Sequence, residues 1–137
     1  MKKKVLFLCT GNSCRSQIAE GFLRARAADR FEVSSAGLRP AYIHALTIKV
    51  MQEAGVDISG QYSKSIKEFL KQSFDYVITV CDNAKQVCPV FQGKHKKIHW
   101  SIEDPVFVGR TGKERLSAFR NTRDIIKERV EQFISEE

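Results

Sequence analysis

The sequence predicts an α/β fold: a single three-layer domain, residues 1–137, in which a four-stranded parallel sheet carries helices on both faces. Three observations predict it. Unbroken apolar runs such as Lys4-Val-Leu-Phe-Leu-Cys9 and Asp75-Tyr-Val-Ile-Thr-Val-Cys81 have the composition of strands buried on both faces. Segments whose apolar residues recur every three or four positions alternate with such runs, which is the order of βαβ units. The length, 137 residues, suits one domain that buries roughly 68–70% of its unfolded surface without a disulfide or metal staple.

The run 4–9 is the first, central strand. After the turn Gly11-Asn12-Ser13, the residues Ile18, Ala19, Phe22 and Leu23 share one face of a helix that extends to about Ala28, leaving Arg24, Arg26 and Arg30 for water. Phe31-Glu-Val-Ser-Ser35 alternates as a second strand and Ala36-Gly37 ends it. Leu46, Val50 and Ala54 lie four apart, and Gly55 stands where a helix C′ residue belongs, so a second helix runs over about 45–54. A connection at 56–60 leads to a weaker helix near 64–70, with Ile66, Phe69 and Leu70 on its apolar side. The β-branched run 75–81 is the third strand, and Lys96-Lys-Ile-His-Trp100 is a short edge strand whose lysines suit an exposed edge. Val106 to Lys113 reads as a flexible connection, and Leu116, Phe119, Ile126, Val130 and Phe133 define the last helix. In a parallel sheet ligands gather beyond the strand C-termini, so Cys9 and Cys81, each ending a strand, are expected near one another.

The net charge is +7, which favours anionic partners. No aromatic-rich strand motif or recognition-helix pattern accompanies that charge, so no nucleic-acid partner is expected. The apolar run behind the N-terminal lysines, Val5 to Cys9, is too short for a signal-peptide core or a membrane span. The expectation is therefore a cytoplasmic monomer without a membrane partner. In that setting the four cysteines, Cys9, Cys14, Cys81 and Cys88, are expected as reduced thiols.

In Cys9-Thr-Gly-Asn-Ser-Cys-Arg-Ser16 a thiol and a guanidinium stand at opposite ends of one tight loop between a strand and a helix. Thr10, Gly11, Asn12, Ser13, Cys14, Arg15 and Ser16 can turn their backbone N–H groups on a tetrahedral oxyanion, aided by the helix dipole that opens near Arg15. Gly11 allows the unusual backbone angles such a loop needs. Cys9 is then a nucleophile that ionises easily, with a hydrogen bond from Ser16 favouring its thiolate, and Arg15 clamps the ion from the side. Asn12 either braces the cradle through its amide or serves as a residue tolerant of left-handed geometry. Cys14, inside the loop, is read as structural.

Around Cys9-x5-Arg15, Ala19-Glu20-Gly21 and Ser34-Ser-Ala-Gly37 the chain resembles the low-molecular-weight tyrosine phosphatases. That resemblance implies a general acid from an Asp-Pro loop, which Asp104-Pro105 supplies. Val106 stands where those phosphatases usually carry an aromatic residue for the substrate's ring, which weighs against phosphotyrosine. With Asp57-Ile-Ser59, Thr79-Val-Cys81, Cys88-Pro89 and His99-Trp100 included, nearly the whole chain is similar to the thioredoxin-coupled arsenate reductases, which share the phosphatase fold. This resemblance implies a relay of three thiols. Cys9 attacks arsenate held in the 9–15 loop while Asp104 protonates the departing oxygen. Cys81 then attacks Cys9 and releases arsenite, and Cys88 attacks Cys81 and presents the oxidised pair to thioredoxin. No cofactor enters the scheme. Some relatives hold a monovalent cation with Asn, Glu, Ser and Asp; Asn12, Glu20 and Ser35 match, but Lys64 stands in the fourth place, and no potassium dependence is expected.

Three other readings compete with this one. A low-molecular-weight phosphatase would need no Cys81/Cys88 pair. A non-enzymatic oxyanion-binding or redox-sensing module would use the pair to report thiol oxidation. Zinc is disfavoured because Cys81-x6-Cys88 exceeds the two to four residues usual between paired ligands, which leaves His95 and His99 as surface or edge-strand residues. Gly109-Arg-Thr-Gly112-Lys113 is no nucleotide loop, since Phe107 and Glu114 occupy the outer motif positions.

Overall fold

The computed structural model describes residues 2–89, 91 and 93–137. Its strands are β1 (Lys3–Cys9), β2 (Phe31–Gly37), β3 (Tyr76–Thr79) and β4 (Lys96–His99), all parallel and ordered β2-β1-β3-β4. The helices are α1 (Arg15–Ala27), α2 (Ala45–Glu53), α3 (Asp82–Val87) and α4 (Gly112–Glu136), with 3-10 turns at Ile66–Phe69 and Pro105–Phe107.

Side chains of β1 alternate between two covered faces, which is why Val5, Leu6, Phe7 and Leu8 are all fully buried. On one face α4 closes the core: Phe133 packs tilted against Phe31 and edge-on to Tyr76, while Phe7 meets Trp100. On the other face the Lys4 ammonium lies over the Phe74 ring, and Phe74 packs between Phe69 of the 3-10 turn and Phe91. Both faces of the sheet are thus covered, by helices on one and by the 3-10 turn and its aromatic neighbours on the other, and the strand C-termini open at one end of it.

Four local expectations change. β2 runs on through Ala36 and Gly37, which pair with Leu8 and Cys9. β3 stops at Thr79: the Val80 N–H makes the last bond to β1, to the Leu8 carbonyl at 2.9 Å, and Cys81 becomes the N-cap of α3. That helix is absent from the sequence reading since its six residues carry no apolar periodicity. The helix near 64–70 shrinks to one 3-10 turn begun by Ser65, whose side chain accepts from the Lys67 N–H. The connection expected at 106–113 is structured at both ends. Asp104 caps the turn Pro105–Phe107, and Thr111 with Glu114 forms a capping box that starts α4 at Gly112, a Thr-x-x-Glu signal present in the sequence.

Candidate functional site

At the strand C-termini a cavity of about 540 Å³ is lined by Cys9, Thr10, Gly11, Ser13, Cys14, Arg15, Cys81 and Asp104, together with Asp82, Ile102, Glu103 and Phe107. A larger cavity of about 660 Å³, floored by Glu20, Arg24, Tyr62 and Lys64, holds no thiol. The chemistry therefore belongs to the smaller one.

The loop wraps the Cys9 sulfur. Its Sγ lies 2.8 Å from Ser16 Oγ and accepts the Asn12 N–H at 3.2 Å. Asn12 adopts φ +50°, the left-handed region, so it is both the tolerant turn residue and a brace. Its Nδ2 donates to Ser16 Oγ at 2.8 Å and Ser35 Oγ at 2.9 Å, and its Oδ1 accepts from Gln17 Nε2 and the Lys64 N–H. Gln17, fully buried, also donates to the backbone carbonyls of Asn12 and Tyr62. The sequence reading gave Gln17 no role; a glutamine on the apolar side of a helix was the available signal.

Burial pushes the Cys9 thiol up, while Ser16, Arg15 and the Asn12 N–H pull it down. The hydrogen bond expected from Ser16 is present and favours the thiolate, while burial of a residue only 2% exposed opposes it.

Cys14 is the N-cap of α1, 3% exposed, and burial pushes its thiol up to about 12. Between the ordinary thiol value of 9.0 and about 12 the unfolded chain has lost a proton that the native chain keeps. Stability therefore falls as pH rises through that window and is unaffected by this group below it. Urea midpoints measured from pH 8 to 11 should decline in the native sequence and decline less steeply in Cys14→Ala; parallel curves would refute this.

Gly37 lets strand and cradle touch. A Cβ there would sit 2.8 Å from the Thr10 carbonyl oxygen and 2.9 Å from the Asn12 nitrogen, both backbone atoms. Gly37→Ala is expected to destabilise the fold by about 1–3 kcal/mol and to weaken phosphate binding measured by titration calorimetry. Wild-type stability and affinity together would count against this account of the close approach.

Arg15 and Asp104 face each other across the opening. Arg15 Nη1 donates to the Ile102 carbonyl at 2.9 Å, and Nη2 lies 3.4 Å from Asp104 Oδ2. The other carboxylate oxygen of Asp104 accepts the Val106 N–H at 3.0 Å. Cys81 is buried, and its Sγ is 3.4 Å from Thr10 Oγ1, the residue next to Cys9. The Ala84 N–H donates to the same sulfur at 3.4 Å. Cys88 does not line the cavity; it is half-buried at the far end of α3, and burial pushes its thiol up while Lys97 opposes. All four cysteines are free thiols.

Asn12, Glu20 and Ser35 do meet, as the sequence suggested, with Ser35 Oγ donating a very short hydrogen bond to Glu20. They do not fit a cation. The Lys64 ammonium lies 3.7 Å from Glu20 Oε1 and donates to the Tyr62 carbonyl at 2.7 Å, bringing a positive charge of its own. Among the described residues no cluster of three or more His, Cys, Asp and Glu side chains could hold a metal ion. His99, expected at the surface or in an edge strand, ends the edge strand β4 and hydrogen-bonds Thr79 and Asp82.

Residues 4–137 match the family model described as low molecular weight phosphotyrosine protein phosphatase. The arsenate reductase of Halalkalibacterium halodurans is 41% identical over 132 residues, covering 96% of this chain and 95% of that protein. A solved arsenate reductase in its phosphate binding state superposes with a TM-score of 0.84 at 39% identity, covering 99% of this chain and 98% of the other. The thioredoxin-dependent arsenate reductase of Corynebacterium glutamicum gives a TM-score of 0.78 at 32% identity, covering 98% of this chain and 61% of the other.

Proposed function

Because this chain belongs to the low molecular weight phosphotyrosine protein phosphatase family, we propose that it turns that family's anion cradle to arsenate, which it reduces to arsenite with electrons from thioredoxin. It does so as one domain over residues 1–137, a monomer of the cytoplasm. The observation that carries the reading is the second thiol: Cys81 shares the cavity of Cys9 and Arg15, and Cys88 caps the opposite end of the short helix that Cys81 begins. Hydrolysis of a phosphate ester needs neither. Among the described residues no helix is long and apolar enough to cross a membrane.

Arsenate, tetrahedral like phosphate, sits in the 9–15 loop with its charge on the loop N–H groups and Arg15. The Cys9 thiolate forms an S–As bond while Asp104 gives a proton to the oxygen that leaves as water. The Cys81 thiolate then attacks the Cys9 sulfur. An S–S bond forms, the S–As bond breaks, and arsenic keeps the electron pair and leaves as arsenite. The two cysteines are oxidised by two electrons and arsenic is reduced by two. Cys88 exchanges into that disulfide, frees Cys9, and offers Cys81–Cys88 to a dithiol reductant.

Arsenate-dependent NADPH consumption, coupled through thioredoxin reductase and thioredoxin, tests the reading. Sustained turnover is expected with thioredoxin, and aryl phosphate hydrolysis should be slow by comparison. Efficient aryl phosphate turnover with no arsenate-dependent oxidation would return the chain to the phosphatases.

A further inference from the structure

We infer that His99 and Asp82 are positioning residues that grip Cys81 from both sides for the second step of the reaction. The inference rests on the arsenate reductase reading and concerns how that reading's second thiol is held. Thr79 and His99 are opposite one another in the last rung of the β3/β4 ladder, and Asp82 is the first residue of α3. The His99 ring spans them. Its Nδ1 is 2.7 Å from Thr79 Oγ1 and its Nε2 is 2.9 Å from Asp82 Oδ1. Ser101 Oγ donates to the same Asp82 oxygen at 3.2 Å. Between the two points that His99 ties lie Val80 and Cys81 alone, so one imidazole closes a loop of chain around the thiol.

The chemistry of the groups fixes the ring's tautomer. A carboxylate only accepts, so Nε2 must carry a hydrogen toward Asp82. Nδ1 of that tautomer accepts the hydroxyl hydrogen of Thr79, so both ring nitrogens are engaged.

Cys81 has left the sheet, and its backbone is extended at φ −146°, ψ 153°. Its sulfur lines the cavity just beyond the end of β3, touching Thr10 on one side and the Ala84 N–H on the other. Attack on the Cys9 sulfur demands an aligned approach, and misplacement by an ångström is costly. Tying both flanks of Cys81 to one ring at the end of β4 supplies the alignment. It also decides which end of α3 stays put: the Cys81 end is fastened, while the Cys88 end is left to move.

The test uses the full chain in a Cys88→Ser background, so that arsenate drives the protein no further than the Cys9–Cys81 disulfide. Reactions are quenched with acid, thiols are alkylated, and peptide mass mapping follows disulfide formation in time; inorganic phosphate affinity is titrated in parallel. His99→Ala is expected to slow disulfide formation roughly tenfold, with phosphate affinity kept within about twofold because the 9–15 loop is untouched. Asp82→Ala should be slow as well, and Asp82→Asn, which keeps an acceptor oxygen for His99 and Ser101, should recover most of the rate. Disulfide formation at the parent rate in His99→Ala would overturn the inference, as would a loss of phosphate affinity that matches the loss of rate. Failure of the parent to form any Cys9–Cys81 disulfide would instead overturn the arsenate reductase reading itself.

Discussion

Cys88→Ser is expected to give one equivalent of arsenite per chain and then stop, where the native sequence turns over continuously. The reason is geometric. Cys81 and Cys88 stand at the two ends of α3, and seven residue steps along a helix span roughly 10 Å. A disulfide needs Cα atoms about 4.4–6.8 Å apart. The exchange that frees Cys9 therefore requires α3 to unwind. With six helical residues, far below the ~12–15 that an isolated helix needs to hold together, it unwinds at small cost. A serine at 88 removes the attacking thiol and strands the oxidising equivalents on Cys9–Cys81, a disulfide between two buried sulfurs that a reductant's thiol reaches poorly. Arsenite release measured against protein concentration, with mass mapping of the trapped disulfide, checks this. Multiple turnovers at the native rate would remove Cys88 from the relay. Amide exchange adds a second observable: residues 82–87 should lose protection in the oxidised protein, and unchanged protection would mean that the sulfurs meet some other way.

How far the sequence reaches follows from how local each feature is. The cradle was legible because strand end, turn and helix start are consecutive, and the bonds that hold the Cys9 sulfur are local, from Ser16 and Asn12; the braces between Asn12 and the distant Ser35 and Lys64 were not. The parallel order of strands was legible from composition. That Cys81 shares the cavity of Cys9 followed from the strand-end rule, yet by a different local route: Cys81 caps a helix instead of ending a strand. What stayed hidden depends on partners distant in sequence. The resemblance already put Arg15 and Asp104 at one site, but their direct contact joins residues 89 positions apart, and the contact that forbids a side chain at Gly37 comes from a loop more than twenty residues earlier. The environment of Cys9 divides in the same way: its hydrogen bonds are local, while the desolvation that opposes them is set by the whole core.

Arg15→Ala is expected to cost on the order of 10² to 10³ in kcat/KM for arsenate, with phosphate affinity falling alongside. Arg15 is the charged donor at the cavity, and its side chain is only 11% exposed, so its field on a bound oxyanion is weakly screened. It also ties the cradle to the opposite wall, since one guanidinium nitrogen holds the Ile102 carbonyl while another faces Asp104. Removing it strips the anion of a counter-charge and unfastens the general acid in one change. Arg15→Lys should recover little, because an ammonium has one pole and cannot hold the Ile102 carbonyl, the carboxylate and an oxyanion in a planar fork. Asp104→Asn separates the two effects. It leaves the guanidinium in place, so phosphate affinity should hold or rise as a negative charge disappears, while formation of the S–As bond slows by about 10². The final exchange with thioredoxin involves neither residue. Once Cys81–Cys88 has formed, thioredoxin should reduce Arg15→Ala, Asp104→Asn and native protein at one common rate. Should both variants instead slow that final reduction as much as they slow arsenate consumption, the division of labour between cradle and thiol pair would be wrong, and Arg15 would be acting on the fold of the site as a whole.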